Sequence, residues 1–404
     1  MTDSILKEAA EKFGTPLFVY DLDDVEKRYR QLFEFIPVEN LKILYAMKAN
    51  YQPAILKRLH ACGAGIDTVS PGEIAFAMKC GFKAEDILFT ANNLTDAESE
   101  EAFAAGVMLN IGSLSHLGKF AAAHPGTRVC LRFNPDVIDG DSANTMTGGD
   151  LAKFGILLDD LDKVLEITRK YGIKVVGLHE HTGSGLQDFR SVWKAMDNLV
   201  AIARPEYFPD LEFIDLGGGF KVPYRPDEEE VDYHVMGRGI AERLKACSEL
   251  YGRDLKLFFE PGKFLAARCG TLLVRINTIK HNRTRTIAGC DSGFPQLIRP
   301  VLYGAYHHIR NISNPEGESK VVDICGNICE TGDRFAEQRS LPECREGDLL
   351  AIENAGAYCY SMGGVYNLRP MPPEVVAENG QIRLARRGMN NQQMVDSILS
   401  ECLI

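Results

Sequence analysis

The chain has 404 residues, 45% hydrophobic and 25% charged, an ordinary globular composition too long for one core and about right for two domains. Its formal net charge of -11, from 45 basic and 56 acidic side chains, argues against nucleic acid or an anionic membrane as the main partner. No apolar run nears the roughly 20 residues of a membrane span, the opening MTDSILKEAAEKFG lacks a signal-peptide core, and eleven cysteines without framework spacing argue against a disulfide scaffold, so a cytoplasmic protein is expected.

Residues 3–13 read as a short helix, Pro16–Asp21 as a strand, and Asp21–Phe35 as a helix whose Val25, Tyr29, Leu32 and Phe33 share a face. A rhythm follows. Apolar runs that suit buried strands lie at Lys42–Met47, Gly65–Val69, Asp86–Thr90, Val107–Ile111, Arg128–Phe133, Lys174–Leu178, Leu211–Leu216 and Leu255–Phe259. Helical patterns fall between most of them, as at Pro53–Cys62, Gly72–Cys80, Ala97–Ala105 and Leu161–Tyr171. Eight alternating units predict an α/β (β/α)8 TIM barrel over residues 22–266. A doubly wound dinucleotide fold would need a glycine fingerprint after the first strand, and YAMKAN has none.

After about Leu265 the texture becomes all-β, with runs at Gly270–Ile279, Arg285–Ala288, Ser319–Cys325, Asp348–Glu353 and Gln381–Ala385 between Gly, Asn and Pro turns. A β-sandwich or small β-barrel is expected over 267–404, closed by a helix at Asn391–Leu399, with residues 1–21 joining it through PLFVYD. Cys325 and Cys329 are four apart but no second pair repeats the spacing, so no metal is expected there.

Barrel enzymes carry their chemistry at the carboxyl ends of the strands. Here those ends present Lys48; Asp67 and Ser70; Asn92 and Asn93; Ser113; Arg132 and Asn134; His179 and His181; Gly217, Gly218 and Gly219; and Glu260. A lysine at a strand end either snorkels to water or serves as a Schiff-base former. His179 and His181 alternate along their strand and could face one metal ion. Alternatively, His181 opens Thr182-Gly183-Ser184-Gly185, a turn whose backbone N–H groups suit a phosphate. The Gly217–Gly219 triplet is either a second such turn or a tight strand-to-helix connection. Glu260-Pro261-Gly262-Lys263 sets a carboxylate at the barrel mouth, for a salt bridge or for a protonated ring nitrogen. A ligand that meets all of these has a carbonyl, a phosphate and a ring nitrogen. Pyridoxal 5'-phosphate has the three, and the metal reading leaves the lysine and both glycine turns unused.

These residues resemble the fold-type III, alanine-racemase-like pyridoxal-phosphate decarboxylases, and among them the diaminopimelate decarboxylase family. The likeness runs through FGTPLFVYD, YAMKAN, DTVSPGE, the Thr147–Ile156 stretch, HEHTGSG, DLGGGF, EPGK, Leu297–His307, Cys329–Asp333 and Gly356–Pro370. It implies that Lys48 binds the cofactor covalently, with Asp67 and Arg132 positioning Lys48 and the ring edge. His181 would stack on the ring and Glu260 would hold a proton on the pyridine nitrogen. Ser184, Gly217, Gly218 and Gly219 would take the phosphate, and Gly262 and Lys263 would also bind the cofactor. Cys329 would be the proton donor, supplied with Glu330 by the other subunit of a homodimer. Lys263, Arg299, Tyr303 and Glu330 would bind substrate, and Tyr366 both substrate and cofactor.

The implied activity is decarboxylation of meso-2,6-diaminoheptanedioate to L-lysine. The alternative is the same chemistry on ornithine, lysine or a siderophore or antibiotic precursor. Some positions depart from the family pattern. Lys263 stands where arginine is usual, keeping the charge but losing the planar fork. Asn327 replaces a proline, Thr331 a serine, and Thr182 a common isoleucine.

Overall fold

The computed structural model describes residues 1–137, 152–186 and 188–402 of the chain. Of the Thr147–Ile156 motif, residues 147–151 lie outside the described residues.

The eight predicted strands close into one parallel barrel. They are β2 (Leu41–Ala46), β3 (Gly65–Thr68), β4 (Ile87–Phe89), β5 (Met108–Ile111), β6 (Arg128–Arg132), β7 (Lys174–His179), β8 (Phe213–Asp215) and β9 (Lys256–Phe259), with β9 pairing back onto β2. Preceding or connecting them are α2 (Leu22–Phe35), α3 (Pro53–Ala61), α4 (Pro71–Lys79), α5 (Asp96–Ala104), α6 (Leu114–Ala123), α7 (Leu161–Tyr171), α8 (Phe189–Ile202) and α9 (His234–Tyr251), after an N-terminal α1 (Asp3–Phe13). Local chemistry sets where the helices start. Asp21 caps α2, Ser70 followed by Pro71 opens α4, and Thr95 with Glu98 forms a capping box on α5. On α2, Val25, Tyr29 and Leu32 are buried as expected, but Phe33 is 41% exposed. Phe33 lies at one edge of that face, and Phe35, at its other edge, is buried instead.

The barrel floor is filled by Leu44, Leu88, Cys130, Val176 and Phe213. A Cβ at Gly177 would stand 2.1 Å from the Phe213 ring, which itself stacks on Phe258 with centroids 4.3 Å apart. Glycine at 177 therefore lets an aromatic plug sit where a side chain would collide, and the barrel interior is packed below its carboxyl-end mouth.

The second domain is a nine-stranded mixed sheet. Its strands are β1 (Leu17–Asp21), β10 (Gly270–His281), β11 (Thr286–Cys290), β12 (Ile309–Asn311), β13 (Ser319–Cys325), β14 (Arg334–Pro342), β15 (Leu349–Ile352), β16 (Glu374–Glu378) and β17 (Gln381–Arg386). PLFVYD supplies β1, antiparallel to β10 and parallel to β16. The long β10 is shared: Leu272–Arg275 pair with β15, and Ile276–His281 with β11. Three strands escaped the sequence reading. β12 is only three residues long, β14 is interrupted by bulges against β13, and β16 directly follows a proline-rich turn. The short helices α10 (Lys263–Ala266) and α11 (Arg299–Tyr303) and the terminal α12 (Asn391–Ser400) complete the fold. Among the described residues no helix is long and apolar enough to cross a membrane.

The two domains are sewn together beside β2. Gly356 lies so close to α10 that a Cβ on it would sit 1.8 Å from the Ala266 carbonyl oxygen. Asn50 Nδ2 donates to the Gly356 carbonyl (2.8 Å), and the Tyr358 amide and Ser361 hydroxyl donate to Ala49 O (2.8 and 2.9 Å). These bonds fix the turn that follows β2 from the second domain's side.

Candidate active site

That turn is a single 3-10 turn, Met47–Ala49, with Met47 and Ala49 buried and the Lys48 side chain 40% exposed into a cavity of about 350 Å3. Lys48 Nζ donates to Asp67 Oδ2 at 2.8 Å, and Asp67, at the end of β3, is fully buried. Burial works against the lysine's charge, but Asp67, with Tyr358 and Glu260 beyond it, outweighs that and raises its pKa. Burial and the charge of Glu260 push Asp67 upward, while Lys48 holds it back.

Across the mouth, β7, β8 and β9 end in His179, Asp215 and Glu260, all buried, with ligand-type atoms within 4.8 Å of one another. His179 Nε2 lies 3.4 Å from Glu260 Oε1, and the Thr90 hydroxyl donates to that oxygen at 3.3 Å. Burial disfavours the Glu260 carboxylate, yet His179, Lys48 and His181 together hold its pKa down to about 2. Burial and Glu260 drive the Asp215 pKa the other way, well above the usual carboxylate range, while Glu260 stays anionic. Asp215 Oδ1 accepts the Gly217 amide at 2.8 Å, which ties this acid to the glycine triplet.

His181 lines the same cavity as His179 but is held by the glycine turn rather than by Glu260. Its Nδ1 accepts the Gly218 amide at 3.3 Å, and a Cβ on Gly217 would meet that same nitrogen at 2.6 Å. Burial, with Arg132 nearby, pushes His181 down to about 3, so the imidazole is neutral. The triplet is needed for close approach. A Cβ at Gly218 would lie 2.6 Å from the Glu260 carbonyl oxygen, and one at Gly219 (φ +107°) would lie 2.5 Å from the Gly183 carbonyl oxygen. The Gly185 and Leu186 amides both donate to Gly219 O at 3.0 Å, so the two glycine turns form one unit.

Lys48, Arg132, His181, Ser184, Gly218, Gly219, Glu260, Gly262 and Lys263 line this cavity, Asp67 underpins Lys48, and Gly217 backs His181. Arg132 lies 4.7 Å from the Phe154 ring centroid. A second cavity of about 460 Å3 shares Ser184, Lys263 and Tyr358 with the first, and gathers Arg299 and Tyr303 from α11. Arg299 is fixed there: its Nη1 contacts His307 Nε2 at 3.2 Å and its guanidinium lies over the Tyr224 ring at 4.7 Å. His307 Nδ1 faces the Glu353 carbonyl at 2.8 Å and must donate to it, leaving Nε2 as the acceptor for Arg299.

Cys329, Glu330 and Tyr366 line neither cavity. They cluster on an exposed corner of the second domain, where Tyr366 Oη donates to Glu330 Oε1 at 2.8 Å and the Cys329 amide donates to Asn367 Oδ1 at 3.2 Å. The sequence reading gave no role to Tyr358, which lines both cavities, or to Asp215. The signals were present as the tyrosine of GAY and the aspartate of DLGGG, but only the fold puts them beside Lys48 and Glu260.

A family model described as the pyridoxal binding domain of pyridoxal-dependent decarboxylases matches residues 22–267. The chain is 40% identical over 387 residues to the diaminopimelate decarboxylase of Methanothermobacter thermautotrophicus, covering 94% of this chain and 90% of that one. It is 36% identical to the diaminopimelate decarboxylase of Escherichia coli, covering 97% and 96%. The crystal structure of diaminopimelate decarboxylase from Helicobacter pylori complexed with L-lysine superposes with a TM-score of 0.89 at 30% identity, over 98% of this chain and all of that one (100%).

Proposed function

Because the chain belongs to the diaminopimelate decarboxylase family of pyridoxal-dependent decarboxylases, we propose that it converts meso-2,6-diaminoheptanedioate to L-lysine and carbon dioxide with pyridoxal 5'-phosphate, as the closing step of lysine synthesis in the cytoplasm. The observation that carries this reading is the Lys48–Asp67 pair facing anionic Glu260 above a glycine cradle, in one cavity.

The residues fit the cofactor. Among the described residues His179 Nδ1, Asp215 Oδ2 and Asp67 Oδ1 are buried without a hydrogen-bond partner, polar capacity that a packed floor alone would not leave idle. Lys48 would take the carbonyl carbon. Ser184, Gly217, Gly218, Gly219, Gly262 and Lys263 would hold the phosphate, and His181 would lie flat against the ring. When bound, the pyridoxal group supplies the electron sink for the pair released as carbon dioxide leaves.

The chain's own groups do the rest. Glu260, kept anionic by its neighbours, holds a proton on the ring nitrogen. Asp67 sets the charge of Lys48, and Arg132, which lines the same cavity, would hold the ring edge. Lys263, Arg299 and Tyr303 would face the substrate from the second cavity, and Tyr366, beside Glu330 on the exposed corner, would reach substrate and cofactor across a subunit interface. Cys329 delivers the proton to the carbon that lost its carboxylate, with Glu330 beside it. Because Cys329, Glu330 and Tyr366 stand apart from the Lys48 cavity, we infer a homodimer in which at least Cys329 and Glu330 complete the partner's site.

Carbon dioxide release should be measured from a panel of meso-2,6-diaminoheptanedioate, L-lysine and L-ornithine, with wild type and Lys263→Arg. Turnover of the first alone is expected. Release from another acid, with none from the first, would overturn the assignment.

A further inference from the structure

The second cavity is strongly cationic: Lys221, Arg225, Lys263 and Arg299 line it against one carboxylate, Glu228. That carboxylate is already occupied, because Glu228 Oε2 accepts the amides of Tyr224 and Arg225 at 2.8 and 3.3 Å and so shapes the loop that carries Arg225. The Arg225 guanidinium lies over the Tyr306 ring at 4.3 Å, and Arg339 lies over the same ring at 3.9 Å. Arg339 Nη1 donates to the His307 carbonyl at 2.9 Å. Among the described residues neither arginine has a carboxylate partner. Two guanidinium groups on one ring repel each other, and the arrangement is relieved when an anion enters beside them.

We propose that Arg225, carried on Tyr306, binds the far carboxylate of the substrate alongside Arg299. The role rests on the decarboxylation proposed above. It answers the change at position 263: lysine there offers a point charge, and a planar fork from the loop after β8 restores two-point recognition of a carboxylate. The reacting end loses its carboxyl group as carbon dioxide, so the far carboxylate is present in both substrate and product. L-Lysine therefore carries the recognised group, and 1,5-diaminopentane does not.

The test uses the cofactor-loaded enzyme and Arg225→Gln. KM for meso-2,6-diaminoheptanedioate should rise about tenfold, the loss expected for one charge-assisted hydrogen bond at a partly open site, with kcat falling less than about threefold. Arg225→Lys should recover part of the loss. L-Lysine should bind about tenfold more weakly to the variant by calorimetry, while 1,5-diaminopentane binds as to wild type. An unchanged KM, or equal weakening of lysine and diaminopentane, would overturn the role of Arg225. If wild type fails to turn over meso-2,6-diaminoheptanedioate, the proposed reaction fails instead, and the lysine–diaminopentane contrast still decides whether Arg225 reads a carboxylate.

Discussion

Asp67, fully buried at the end of β3, receives the Lys48 ammonium at 2.8 Å and favours its charged form. The pair joins the first two strands of the barrel, and through the turn after β2 it is tied to the second domain.

Removing the acid should therefore make Lys48 more reactive toward a carbonyl before it makes the enzyme slower. In Asp67→Asn the largest charge opposing burial is removed, the Lys48 pKa falls, and more neutral amine is present near pH 7. Covalent capture of pyridoxal 5'-phosphate by the apoprotein, followed by absorbance, should shift its pH dependence to lower pH than in wild type. Lys48→Ala should abolish the covalent absorption band and the activity. An unshifted profile in Asp67→Asn would show that the pair does not set the lysine's charge.

Gly219→Ala should damage the phosphate cradle more than the fold. The new Cβ would face the Gly183 carbonyl at 2.5 Å in a left-handed backbone, forcing the two glycine turns apart. Cofactor affinity should drop at least about tenfold, as measured by absorbance titration. Gly72→Ala, where the nearest atom is Ser70 Oγ at 3.7 Å, should leave affinity unchanged.

Glu180 gives the apoprotein a pH signature. It is buried, its Oε2 accepts the Thr182 hydroxyl at 2.9 Å, and burial pushes its pKa up to about 8. The folded chain thus binds a proton that the unfolded chain releases at about pH 4.3, the ordinary glutamate value. The stabilisation is complete below that value and is lost as pH rises through about 8. Glu180→Gln, which cannot ionise, should melt like wild type near pH 5 and on the order of 5 °C above it near pH 8. Parallel melting curves for the two proteins would contradict this.

Mixing an inactive variant with a strongly slowed one tests the shared site. In a dimer of Lys48→Ala with Cys329→Ala, one site carries both lesions and the other neither. After subunit exchange about a quarter of wild-type activity should return, since half the dimers are mixed and each has one intact site. Cys329→Ala alone should be folded and bind cofactor, with slowed turnover. No recovery after demonstrated exchange would place Cys329 in the site of its own chain.

Much of this molecule was legible because its barrel strands are covered on both faces, and such strands read as unbroken apolar runs that end sharply at polar residues. Lys48, Arg132, His181 and Glu260 each stand just past such a run, and glycine had to appear wherever backbone met side chain at Gly217, Gly218 and Gly219. The sheet domain was harder, since β12, β14 and β16 are short, bulged or proline-flanked and carry little periodic signal. Only the tertiary structure paired His179 with Glu260 rather than with His181, brought Tyr358 to Lys48 from more than 300 residues away in the chain, and set Arg225 and Arg339 on one ring. Strand periodicity determines which residues reach the barrel mouth. Which of them then share a proton, a ring or a charge depends on contacts between segments far apart in sequence, and no local pattern encodes those.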